Sequence, residues 1–279
     1  MLGIQSAPSC SITVTDNLFR ETIMRSKQIR SVLLALSIGL FSAGSAQAGV
    51  ISLVSGNGTV NALTDTIGND SQVRMLVGPA VGPFAAAFTG GDFTSAQTGP
   101  AAFIVAPHAA WAPSLAGYST AQWVSTNAKG SSTLAVNPAG ANTALYAVSF
   151  ALGAVSTAVL DFSLNADDFI GGGSNLGVFL NGVAISGTTT TNGNMTTVFS
   201  LTGLDVLSSL EVGLNTLYFN VTNKNLNNAN NGPSGLLFGA TLTTTAIPAP
   251  NTISLLALGL LFLLMFGYRQ KLFAAAVKK

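Results

Sequence analysis

The sequence predicts an all-β protein, an antiparallel β-sandwich, and three observations carry that expectation. Short apolar runs alternate with Gly, Thr, Ser and Asn through most of the 279 residues, the pattern of half-buried strands joined by turns. Only 8% of the residues are charged and 30 are glycine, far from the charged surface of a helical domain. The run "LGVFLNGVAI" leads Leu176, Val178 and Leu180 into Asn181-Gly182 and out through Val183 and Ile185. Asn-Gly adopts positive φ at both centres of a type I′ turn, so this segment reads as a hairpin.

Residues 1–23 contain the polar, mixed-charge "TDNLFRET" and carry no targeting logic, so they read as an upstream extension, with Met24 as the natural start. From Met24 the chain has the form of an export signal: Arg25, Lys27 and Arg30, an apolar helical run from Val32 to Phe41, then Ala46-Gln47-Ala48. Small residues at Ala46 and Ala48 are what signal peptidase reads after Sec export. The apolar run is too short for a bilayer of about 30 Å. The signal peptide is therefore placed at residues 24–48, with the mature start near Gly49.

The lone cysteine, Cys10, precedes that boundary. The body thus has no disulfide, thiol nucleophile or cysteine metal site. Residues 49–246 hold three basic against eight acidic side chains, a net of −5. Such a surface repels phosphate backbones, which argues against nucleic acid as a partner.

Residues 49–104 form the first part of the β body, and "VGPAVGPFAAAFTGGDF" reads as a Gly/Ala/Pro-rich connection between short strands. Residues 105–246 carry the clearest strands. In "TALYAVSFAL" Tyr146, Val148 and Phe150 share a face; in "VLDFSL" Leu160, Phe162 and Leu164 do; in "NTLYFNVTN" Leu217, Phe219 and Val221 do. "SGLLFGATLTTT" supplies a closing strand, and "NKNLNNANNG" at 223–232 a loop. No segment of the body shows a helical period beyond about two turns.

Candidate sites are few. His108 is the single histidine, too little for a zinc site, and a Ser-His-Asp triad would have to be built around it alone. Asp167 and Asp168, followed by "GGGSN", could offer oxygen ligands to calcium or cap a turn. Adjacent strand residues point to opposite faces, so these two are not expected to flank one glycosidic bond. Trp111, Trp123 and Tyr146 could form a platform for a sugar ring or fill the core. No catalytic residue, cofactor or metal is predicted.

Residues 105–245 resemble the galactose-binding-like jelly rolls of exported bacterial proteins. The likeness rests on "ADD" before the "LNG" hairpin, then "GLNTL" and a last strand opening with "PSGL". It implies a jelly-roll sandwich.

The tail, 247–279, begins with Pro248-Ala249-Pro250, continues through 16 mostly apolar residues from Ile253 to Tyr268, and meets Arg269 and Lys271. The stretch is shorter than the roughly 20 residues of a comfortable span. The bases that follow fit a cytoplasmic stop. This layout resembles the PEP-CTERM sorting tail, with Ala249 where that motif has glutamate. The resemblance implies a single transmembrane helix at 253–268, an exosortase as processing partner, and delivery to the surface or exopolysaccharide-rich matrix of a Gram-negative bacterium. Hydrophobicity alone is equally consistent with a permanent anchor.

Overall fold

The structure is a computed structural model that describes residues 47–57, 68–107, 110–128, 141–188, 195–224, 232–247, 259–267 and 269. The chain divides into two compact units, Ala46–Ile247 and a second made of Met1–Ser45 with Pro248–Lys279. The first is the β body.

Among the described residues it has twelve strands: β1 Ala48–Val54, β2 Asn69–Val77, β3 Ala101–Ile104, β4 Val124–Ser125, β5 Ala144–Leu152, β6 Val155–Asp167, β7 Phe169–Ile170, β8 Val178–Leu180, β9 Val183–Ala184, β10 Phe199–Asp205, β11 Gly213–Thr222 and β12 Gly235–Ala246. All described pairings are antiparallel, as the sequence predicts. They form one sheet in the order β10-β6-β12-β4-β3-β2-β5-β11-β8-β9, with β1 added to β12 and β7 to β11.

The sheet curls so that its two halves face each other. Leu160, Phe162 and Leu164 of β6 and Phe238 of β12 share one buried cluster with Tyr146 and Val148 of β5 and Phe219 of β11. Phe219 bridges the halves, its ring centroid 4.4 Å from Phe238 and 6.4 Å from Phe162. These are the faces that period-two alternation assigns inward, and each fully buried Phe or Leu contributes roughly 1.5–3 kcal/mol.

The opposite face of β5 and β11 is buried too, because a second layer covers it. The segment read as a plain connection between strands, residues 77–93, runs into a helix, α1, at Gly90–Thr98, which corrects that expectation. Thr89 caps it. Its hydroxyl accepts from the Asp92 N–H at 3.4 Å, and the Thr89 N–H donates back to Asp92 Oδ2 at 2.8 Å. The Thr89 hydroxyl also donates to Asp92 Oδ2 at 2.7 Å, and that bond, followed by the one from the Thr89 N–H, lowers the pKa of the Asp92 carboxyl. From the helix Phe93 reaches Phe88, Phe179 and Tyr218 in edge-on contacts, while Ala96 is buried.

The Asn181-Gly182 hairpin is present. Both residues have positive φ, 51° and 81°, and Leu180 pairs with Val183 across the turn. The Asn181 amide nitrogen donates to Asn215 Oδ1 and to the Ser209 carbonyl, while its oxygen accepts from the Thr216 N–H. The turn residue thus ties β8 to β11 beyond the ladder.

In the second unit residues 259–267 are helical, with Leu260, Phe262, Leu263 and Leu264 exposed. No helix among the described residues is long and apolar enough to cross a membrane. Much of the expected span, and Pro248, Ala249, Pro250 and Lys271, lie outside the described residues. Arg269 is described and exposed.

Candidate functional site

The acidic pair sits where β6 ends. Strand alternation stops at Asp167, since β7 begins only at Phe169. Only Asp167 belongs to a strand, so strand alternation does not set the direction of Asp168. Asp167 is 3% exposed, and its Oδ2 accepts from the Trp111 indole N–H at 2.6 Å. Burial pushes its carboxyl up to about 7; the hydrogen bond with Asp168 and that neighbour's charge push the same way, while the Trp111 bond opposes them. Asp168 is half-buried, and its Oδ2 accepts from the Lys224 backbone N–H at 2.7 Å. The Lys224 ammonium rests over the Phe169 ring, 4.7 Å from its centre.

The neighbouring glycines build a turn. Gly171, Gly172 and Gly173 all have positive φ. Gly171 N–H donates to the Asn220 carbonyl, Gly172 and Asn175 bond each other, and the Gly171 carbonyl accepts from the Thr222 hydroxyl. Calcium needs six to eight oxygen ligands. Among the described residues no group of three or more His, Cys, Asp or Glu side chains could hold a metal.

The aromatic residues separate into two places. Trp111 and Trp123 stack with centroids 4.2 Å apart, and they are 4% and 1% exposed. They lie on the outer face of β12 with Leu115, Ala121 and Leu237. Trp123 Nε1–H donates to the Ala112 carbonyl at 2.8 Å. Neither indole offers a face to a sugar. Tyr146 lies fully buried between the two halves of the sheet, with no hydrogen-bond partner for its hydroxyl among the described residues.

The seat for the indoles is made by glycine. A Cβ at Gly235 would stand 2.9 Å from Trp111, and one at Gly239 would collide with the Tyr118 ring. Gly235 and Gly239 are an even number apart on one strand and so share a face. That spacing, opposite the aromatic-rich 111–123 segment, is the sequence signal that would have placed the indoles.

Of the other expected sites, His108 and Ala46 lie outside the described residues. Ala48 is the first residue of β1. At the β5–β6 hairpin a cavity of about 220 Å³ is lined by Leu152, Gly153, Val155, Leu207, Leu210, Glu211 and Val212. No local sequence signal marks it, because its walls come from separate turns.

No protein-family model matches the chain, and no curated protein matches it. Among solved structures, the isomalto-dextranase of Arthrobacter globiformis T6 complexed with panose resembles it with a TM-score of 0.23 and 13% identity. That likeness covers 72% of this chain and 33% of the other. At that level it carries no argument about fold or function.

Proposed function

We propose that this chain is an exported, non-catalytic protein of the cell surface or extracellular matrix. Its β body is the cargo, and the terminal segments are addresses. The supporting observation is where the body stops. The compact unit runs from Ala46 to Ile247, β1 starts at Ala48, and β12 ends at Ala246. The sequence places the signal-peptidase cut after Ala48 and the sorting motif at Pro248-Ala249-Pro250. Cuts at those points would remove both addresses and keep all of these strands, with β1 shortened only by Ala48. The bond from the Ala246 N–H to the Gln47 carbonyl, 3.0 Å long, would go with the leader, while the β1–β12 pairing from Gly49 to Val54 would stay.

Within this reading the body is a jelly-roll sandwich, and residues 253–268 form the membrane helix of a PEP-CTERM-like tail processed by an exosortase. The burial of Trp111 and Trp123 favours a structural body over a sugar-binding platform. The Asp167 carboxyl, buried and bonded to the Trp111 indole, favours it over a glycosidase.

Mass spectrometry of the protein from its native envelope tests the proposal. The expected termini are Gly49 and a residue within about ten positions of Pro250. An intact Met24 start would refute export through the signal, and an intact Lys279 would replace sorting with a permanent anchor.

A further inference from the structure

We propose that β1 is an open edge that pairs, antiparallel, with β1 of a second copy of this chain. The hydrogen-bond phase of β1 follows from two bonds that bracket it. Ser55 N–H donates to the Phe238 carbonyl, and Ala246 N–H donates to the Gln47 carbonyl, each at 3.0 Å. The register between them runs from Ala48↔Thr245 to Val54↔Gly239 without a shift. Narrow and wide pairs alternate in an antiparallel ladder, so Gly49, Ile51 and Leu53 turn their N–H and C=O groups toward β12. Ala48, Val50, Ser52 and Val54 turn theirs away, and β12 is the only strand paired with β1 among the described residues.

Proteins blunt sheet edges with charge, proline, bulges or brevity. The ends of this sheet follow that rule. At one, β10 is broken by a bulge between Leu201 and Leu204, where the Gly203 N–H bonds Asp161 at 2.6 Å. At the other, β9 is two residues long. β1 has none of these guards: seven regular residues, AGVISLV, with no charge and no proline. Its outward side chain Val50 is 66% exposed.

The exposed row of backbone groups accepts only an extended strand, and the copy's own β1 fits it. A two-fold axis at Ile51 sets Val50 against Ser52 of the second copy, and Ala48 against Val54. No charge would be buried, and the four donors and four acceptors of each edge would be matched. The body carries −5 overall, yet this strand brings none of it to the contact. The inference does not require the sorting proposal; a cut after Ala48 would remove the outermost Ala48–Val54 pairs and keep the central Val50–Ser52 pairs.

The test uses the full chain carrying Cys10→Ser in mild detergent, followed by sedimentation velocity. A dimer at tens of micromolar is expected. Ser52→Pro removes an outward N–H and leaves the β12 ladder intact, so it should weaken association at least tenfold with thermal stability nearly unchanged. Should that variant misfold, cross-linking decides. Mixed Val50→Cys and Ser52→Cys chains should form a disulfide-linked pair in several-fold higher yield than mixed Val50→Cys and Thr157→Cys chains. A wild-type monomer at all concentrations, a Ser52→Pro dimer as tight as wild type, or equal cross-linking of both mixtures would overturn the proposal.

Discussion

The Asp167 carboxyl is buried where the folded protein favours its protonated form. Its value rises from an ordinary 3.8 to about 7, and that difference is a statement about stability. Between these values the unfolded chain releases the proton and the folded chain keeps it. Folding is therefore favoured at the acid end, and the contribution is lost as pH rises through about 7, by up to about 1.4 kcal/mol per pH unit. Chemical denaturation at pH 5 and pH 8 should show the lower midpoint at pH 8. In Asp167→Asn, whose amide oxygen still accepts from Trp111, this slope should shrink markedly; an unchanged slope would assign it to another group. Tyr146 offers a second prediction, because its buried hydroxyl has no partner among the described residues. A buried polar group without a partner carries a desolvation penalty of about 1–3 kcal/mol. Tyr146→Phe should thus be neutral or stabilising by about 1 kcal/mol in denaturant unfolding, and a loss of about 2 kcal/mol or more would show that the hydroxyl makes a stabilising bond.

At the scale of elements, legibility followed the strength of the local signal. The β8–β9 hairpin was readable because Asn-Gly chemistry needs no tertiary help, and the structure shows positive φ at both positions. What the sequence could not show is that Asn181 also bonds Asn215, Ser209 and Thr216, since those partners lie 28 to 35 residues away. Asn181→Gly keeps the turn conformation and deletes the side-chain bonds. It should destabilise by about 1–3 kcal/mol, because the buried Asn215 loses a partner. A change below 0.5 kcal/mol would show those bonds to be idle. Helix α1 was missed for the opposite reason. Its nine residues include two glycines and only Phe93 and Ala96 on the packed side, too sparse for a helical period to register. The usable clue was Thr89 three positions before Asp92, a capping box in which aspartate stands for glutamate. Thr89→Ala should cost about 1 kcal/mol in thermal or denaturant unfolding.

Across the whole molecule, composition and alternation were enough for an antiparallel all-β body, but not for a sheet that curls on itself and is covered on two outer faces. Coverage depends on which distant segments carry the right surface. Gly235 and Gly239 look like turn residues until Trp111, Trp123 and Tyr118 are set against them. The same coverage turned a candidate sugar platform into packing. The buried members described for all three clusters run from Leu53 to Leu242, inside the unit Ala46–Ile247. A chain trimmed to Gly49–Ile247 should therefore fold. It loses Ala48 and the bond from Ala246 to Gln47 at the end of β1, a loss of about 1 kcal/mol. For a domain of this size that lowers Tm by roughly 2–4 °C. Thermal unfolding followed by tryptophan fluorescence measures it directly, because both indoles lie in the buried cluster on β12. A fall of more than about 10 °C, or a trimmed chain without a cooperative transition, would mean that the terminal segments are structural parts of the body. The reading of cargo and addresses would then fail.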